Sequence, residues 1–94
     1  MNYYFYSQKE NFIYFAAENP KSTLHEIYVY DMLNDLLLTI DEAHQGPVTD
    51  VIHFSPNILL SSSKDGFIKV WNVNGSIVTL DKISGENLFK TYST

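Results

Sequence analysis

Serine, histidine and aspartate recur in one segment of this sequence in a combination that suggests hydrolytic chemistry. The candidates are His44, Ser61, Ser63 and Asp65, and a Ser-His-Asp set can activate a hydroxyl as a nucleophile. The run SSSKDG around them does not follow the G-x-S-x-G pattern that presents a nucleophilic serine, and no glycine-rich oxyanion loop accompanies it. We therefore predict that these residues are not catalytic and that the chain is not an enzyme.

Metal and cofactor sites are not expected either. His25, His44 and His53 lack the spacing of a ligand set. The chain has no cysteine, which excludes disulfides and thiolate metal sites. Its four glycines form no G-x-G-x-x-G motif for cradling a phosphate. We predict no metal and no cofactor.

Composition narrows the class of partner. Asp and Glu outnumber Lys and Arg by 11 to 6, which gives a formal net charge of −5. This balance argues against binding to nucleic acid, which needs clustered basic residues, but is compatible with basic protein partners. No apolar run reaches the ~20 residues that a membrane span needs, and the N-terminus does not resemble a secretory signal. We expect no membrane association and a location in the cytoplasm or nucleus.

The chain contains two copies of one pattern. Glu26–Met32 (EIYVYDM) matches Phe67–Val73 (FIKVWNV) at an offset of 41 residues, within the roughly 40–45 expected of a four-stranded propeller blade. The segments that follow, Asp35–Ile40 and Ser76–Leu80, also agree. The first halves match more loosely, because the first copy carries a longer loop at Glu18–Leu24.

Short β-rich runs, separated by turn residues about every ten positions, predict eight strands. The aromatic content of 15% also favours sheet. The predicted strands are Asn2–Tyr6, Phe12–Ala17, His25–Asp31, Asp35–Ile40, Val48–Phe54, Ile58–Ser63, Phe67–Val73 and Ser76–Leu80. Strict alternation places Ile68 and Val70 on one face of their strand and Phe67, Trp71 and Val73 on the other.

The segment Ala43–Val73, AHQGPVTDVIHFSPNILLSSSKDGFIKVWNV, resembles one repeat of the WD-repeat β-propeller family. A looser resemblance extends over Asn11–Leu80. It implies an all-β fold of two four-stranded antiparallel propeller blades, a degenerate one at residues 1–40 and a clearer one at residues 41–81. Residues 82–94 would form a tail that is either disordered or contains a ninth strand at Asn87–Ser93.

The resemblance also implies a structural role for the polar residues. In this family a strand Trp connects through a Ser or Thr hydroxyl and a loop His to an Asp in a tight turn, which here are Trp71, Ser61 or Ser63, His44 and Asp65. Such a chain suits the chemistry, because an indole N–H needs an acceptor, a hydroxyl can accept and donate, and a carboxylate can end the chain. Gly66 supplies the positive φ that the hairpin turn requires.

Because of departures from the family pattern, we expect this hydrogen-bonded chain in the second blade only. Ala43 stands where the family usually has Gly before the His, and Asn72 replaces the Asp of the namesake pair. In the first blade Tyr30 replaces the Trp, and no histidine precedes the first strand. We expect one such network, in the second blade only.

Two blades cover each other once and leave two apolar faces bare, whereas propellers typically have four to eight blades. Copies could close a ring, the chain could complete another protein's propeller, or it could be a remnant of a longer repeat protein. We predict a non-catalytic protein-interaction scaffold that acts within an oligomer or larger complex, with protein partners or further blades. The alternative is a structural fragment or remnant without independent activity.

Three loops are the candidate contact surfaces for a partner: Glu18–Leu24, Asp41–Gly46 and Lys64–Gly66. The candidate contact residues are Glu18, Asp41, Glu42 and Lys64. Because the first two loops include Glu18, Asp41 and Glu42, basic peptides are the first partner class to consider. The alternative is that these charges form an ordinary solvated rim.

Overall fold

The computed structural model describes residues 2–84 as two four-stranded antiparallel sheets, which confirms the all-β fold class. The first sheet consists of β1 (Asn2–Lys9), β2 (Phe12–Glu18), β3 (His25–Asp31) and β4 (Leu36–His44). The second consists of β5 (Val48–Ser55), β6 (Ile58–Ser63), β7 (Ile68–Asn74) and β8 (Ile77–Ser84). In each sheet the strands pair in chain order, and the described residues contain no helix that could cross a membrane.

The fourth strand continues beyond its predicted end at Ile40 and reaches His44. Its pairing with β3 jumps from Ile27 opposite Ile40 to His25 opposite His44, so the extra residues form a bulge. Glu42 has φ 52° inside this bulge. Asp41 and Glu42, predicted to lie in a loop, are therefore strand residues, and the predicted boundary at residues 40 and 41 falls inside β4.

The eighth strand is also longer than predicted and reaches Ser84. Lys82 and Ile83, assigned from sequence to the tail, pair with β7 beyond an irregularity at Val70 and Trp71. Residues 85–94, with the predicted ninth strand, lie outside the described residues. At the other end, β7 begins at Ile68, so Phe67 belongs to the preceding turn rather than to the strand.

The core lies between the two sheets. Alternate residues of β2, β3 and β4 face inward in cross-strand rows, such as Tyr14, Val29 and Leu38. Leu59 and Trp71 form such a pair in the second sheet. The buried apolar side chains that join into one cluster are Tyr14, Ala16, Ile27, Val29, Leu38, Ile40, Ala43, Val48, Val51, Leu59 and Trp71.

Each sheet has a second face that the other sheet does not cover. In the first sheet Phe15 stacks on Tyr28 at 4.9 Å between ring centroids. We call this surface the aromatic face, and its residues are Tyr6, Ile13, Phe15, Tyr28, Tyr30 and Leu37. The corresponding surface of the second sheet, the aliphatic face, consists of Ile52, Ile58, Leu60, Ile68 and Val70. Within residues 2–84 the fold therefore buries one apolar layer and leaves two others open.

Candidate functional site

Four of the polar residues singled out in the sequence form a continuous hydrogen-bonded chain. The indole Nε1 of Trp71 donates to Ser61 Oγ over 2.9 Å. Ser61 Oγ lies 2.8 Å from His44 Nε2, and His44 Nδ1 lies 3.0 Å from Asp65 Oδ2. This hydrogen-bonded chain runs from β7 through β6 to the end of β4 and on to the β6–β7 turn. Ser61 and His44 are buried within it, at only 2% and 1% exposure.

The chemistry of the partners fixes the direction of every hydrogen bond. The Asp65 carboxylate can only accept, so Nδ1 of His44 carries the proton. Nε2 of a neutral imidazole is then an acceptor, and the Ser61 hydroxyl donates to it. The Ser61 oxygen is left to accept from the indole. One neutral tautomer of His44 satisfies all three bonds.

Burial lowers the pKa of His44 below its ordinary value of 6.5, and this effect outweighs the opposing hydrogen bond and charge of Asp65. The positive charge of Lys69 acts in the same direction as burial. At neutral pH the contact between His44 and Asp65 is thus a hydrogen bond from a neutral ring rather than an ion pair. A second proton would occupy Nε2 and remove the acceptor that the Ser61 hydroxyl uses.

Asp65 connects the network to two backbone segments. Burial by itself would raise the pKa of this carboxyl, but N–H donors from Phe67 and Gln45, together with His44, outweigh it and lower the pKa below 3.8. Its two oxygens accept from Phe67 N and Gln45 N, each over 3.0 Å. Gly66 has φ 91°, in the left-handed range that glycine adopts without strain. The carboxylate therefore holds the β6–β7 turn to the residue that follows β4.

Ser63 lies outside the chain and supports it. Its hydroxyl donates to the carbonyl oxygen of Gly46 over 2.9 Å and accepts from Asp65 N over 3.1 Å. A Cβ atom on Gly46 would lie 3.0 Å from Asp65 N, so a larger residue would push the loop away from the turn. Ser61 is the hydroxyl of the chain, and Ser63 fastens the same loop from the next inward-facing position of β6.

Sequence reasoning missed Lys69. Its Nζ donates to the carbonyl oxygen of Ala43 over 2.6 Å and lies 5.9 Å from the centroid of the Trp71 ring. The signal was present, because Lys69 and Trp71 are two residues apart on one strand and share a face. Ala43, where the family usually has Gly, is completely buried, and its carbonyl is held by this lysine.

The four candidate contact residues lie at the same end of the sheets as His44. Glu18 ends β2, and its carboxylate is 3.9 Å from Nε2 of His25. Asp41 and Glu42 are exposed on β4, and Lys64 is exposed in the β6–β7 turn. None of the described hydrogen bonds or ion pairs joins these four side chains to one another. Within residues 2–84, no three His, Asp or Glu side chains group in a way that could hold a metal.

The order Ser61, His44, Asp65 resembles a hydrolase triad, but its surroundings differ. The Ser61 oxygen accepts from the Trp71 indole, and the hydroxyl is buried in the core. A nucleophilic serine must reach a substrate carbonyl, with donors placed for the developing oxyanion. What this arrangement can do chemically is fasten strands, a loop and a turn together.

Comparison with known protein families agrees with this geometry. Residues 35–72 match the family model described as WD domain, G-beta repeat. Residues 35–72 are therefore similar to one WD repeat. The matched WD repeat begins just before β4 and ends in β7, so it includes the last strand of the first sheet, three strands of the second and all four residues of the hydrogen-bonded chain. WD repeats are generally non-catalytic and mediate protein–protein interactions. No curated protein and no solved structure matches the chain significantly.

Removing the Ser61 hydroxyl should destabilise the fold. In Ser61→Ala the Trp71 indole N–H loses its acceptor and His44 Nε2 loses its donor. We expect the free energy of unfolding to fall by about 2 kcal/mol or more, because two buried polar groups lose their partners. Urea denaturation followed by tryptophan fluorescence measures this change.

Ser62→Ala is the matched control. Among the described residues, the Ser62 hydroxyl bonds only to exposed Thr49 across β5 and β6, so its loss should cost less than about 1 kcal/mol. Equal losses for the two variants would contradict a special role for the buried hydroxyl.

Acidification through the histidine range should destabilise the protein. A histidine in the unfolded chain takes up its proton near pH 6.5, whereas folded His44 and His53 do so only at lower pH because burial lowers both pKa values. In that window the unfolded state binds more protons, so stability decreases as pH falls. Urea midpoints at about pH 7.5 and about pH 5.5 test this.

The lowered carboxyl pKa values of Asp31 and Asp65 do not interfere in this window, because their contribution is lost only below pH 3.8. An NMR titration of the His44 ring reports the same event directly. Stability that is unchanged or higher at the acidic pH would show that these rings are not held neutral by the fold.

Proposed function

We propose that this chain is a non-catalytic protein-interaction scaffold that works through its uncovered sheet faces, inside an oligomer or a larger complex. The WD repeat supports the scaffold role, since such repeats generally mediate protein–protein interactions. The hydrogen-bonded chain supports a non-catalytic reading, because it places the serine in the core and engages both sides of its hydroxyl.

The observation that carries the proposal is the pair of open apolar faces. On the aromatic face Tyr6 is 64% exposed and Leu37 is 50% exposed, and on the aliphatic face Ile52 is 46% exposed. Soluble monomers rarely expose contiguous apolar patches beyond a few hundred Å², and larger ones mark protein-interaction sites. Both faces belong to four-stranded sheets, which suits packing against another sheet.

A charged residue placed on the aromatic face should block this association. Leu37 lies opposite Tyr30 on that face, and Leu37→Lys would introduce an unpaired cation there. We expect the full-length protein to sediment as a discrete assembly and Leu37→Lys to raise the dissociation constant at least about tenfold, equivalent to about 1.4 kcal/mol. Sedimentation velocity over a concentration series measures both.

Leu33→Lys is the matched control, because Leu33 is 79% exposed in the β3–β4 turn and not on the sheet face. It should leave the sedimentation unchanged. A stable, well-folded monomer at all concentrations that captures no sheet-bearing partner would contradict the proposal and would favour a fragment without independent activity.

A further inference from the structure

A groove of about 620 Å³ lies between the two sheets, at the opposite end from the hydrogen-bonded chain. Hairpin turns from both sheets form its rim. Glu10 in the β1–β2 turn and Asp31 at the end of β3 stand on one side, and Asn57 and Gly75 in the two turns of the second sheet stand on the other. Its volume is within the range of pockets that hold small ligands or side chains.

The floor of this groove is apolar. Its apolar lining comes from both sheets and consists of Phe12, Val29, Leu36, Leu38, Pro56 and Val73. The floor is held by a hydrogen bond across the sheets between the Tyr14 hydroxyl and His53 Nδ1 at 2.5 Å. The ring centroids of Phe12 and His53 lie 4.5 Å apart. A preformed apolar floor can take an apolar side chain without rearranging.

The charged residues of the rim are both acidic. Asp31 accepts hydrogen bonds from the side chains of Asn34 and Asn11 and from the backbone of Leu33. These donors, the Asn34 side chain foremost, lower the pKa of the Asp31 carboxyl although burial opposes them, so it is ionised at neutral pH. Because all of them are neutral, they leave its charge uncompensated. Glu10 is exposed, and among the described residues no lysine or arginine lines the groove.

We propose that this groove binds an extended peptide segment in which a large apolar side chain stands next to a lysine or arginine. The apolar side chain would contact Phe12 and Leu38, and the cation would lie beside Glu10 and Asp31. Charge complementarity selects a basic partner over an acidic or neutral one. This proposal rests on the proposed scaffold function and names one partner class and its site. The groove lies at the end of the sheets opposite the loops that the sequence predicted as contact surfaces.

The test uses the full-length protein and a fluorescein-labelled hexapeptide in which one Phe is followed by one Arg between Gly and Ser residues. Two matched peptides replace the Phe by Ala or the Arg by Glu. Fluorescence anisotropy measures the dissociation constants. We expect the first peptide to bind, and we expect either replacement to weaken binding at least about tenfold.

Glu10→Lys and Glu42→Lys form a matched pair of protein variants. Both glutamates are exposed and have positive φ, 57° and 52°, and both substitutions change the net charge equally, but they lie at opposite ends of the sheets. Glu10→Lys should weaken peptide binding at least about fivefold, and Glu42→Lys should leave it within about twofold.

Other outcomes would overturn the proposal. Equal losses in the two variants would mean attraction by net charge alone, and loss only in Glu42→Lys would place the peptide at the other end. A sedimentation change in Glu10→Lys would make the groove a contact between copies. Absence of peptide binding would remove the groove proposal but leave the scaffold proposal standing, because Leu37→Lys tests that separately on another surface.

Discussion

The two sheets are connected where Ser61 of β6 contacts His44 at the end of β4, and we call this contact the joint. It depends on the buried hydroxyl of Ser61. Ser61 accepts from Trp71 within the second sheet and donates to His44, which belongs to the last strand of the first sheet. A hydroxyl can do both only while the imidazole is neutral, and burial keeps it neutral. A second hydrogen bond between the sheets, from Tyr14 to His53, lies toward the groove end. The apolar core lies between these two polar links, which fix how the sheets meet.

The position of the matched segment in the fold is related to this joint. The matched residues, 35–72, begin in the turn before β4 and therefore include a strand from each sheet. The repeat that is continuous in sequence is thus the unit that connects the sheets in space. The hydrogen bonds of Ser61 with His44 and of Tyr14 with His53 both join the two sheets, one at each end, and so support both proposed interaction surfaces.

Much of the fold could be read from the sequence, because strand alternation and turn residues are local signals. The β3 and β6 bounds were predicted correctly, whereas the bulge in β4 depends on its pairing with β3 and has no local signal. The family resemblance indicated that the hydroxyl of the hydrogen-bonded chain belongs to Ser61 or Ser63. It could not distinguish the two, since residues two apart on a strand share a face. Only the hydrogen-bond distances show that Ser61 contacts His44 in the hydrogen-bonded chain and that Ser63 contacts Gly46 in the loop.

The groove could not have been predicted from the sequence. Tyr14 and His53 are 39 residues apart and belong to different sheets, and no motif connects them. Glu10 and Asp31 reach one rim only because the β1–β2 and β3–β4 turns lie at the same end of the first sheet. The acidic residues that the sequence made conspicuous, Asp41 and Glu42, lie at the other end.

Hydrogen exchange of the indole N–H tests the central role of the buried hydroxyl most directly. Trp71 is the only tryptophan, so its indole signal is unambiguous in a proton–nitrogen NMR spectrum. If its hydrogen bond to Ser61 is part of the joint, this proton should exchange only through global unfolding, as slowly as the most protected amides of β6 and β7. Rapid exchange of the indole while those amides remain protected would contradict the account.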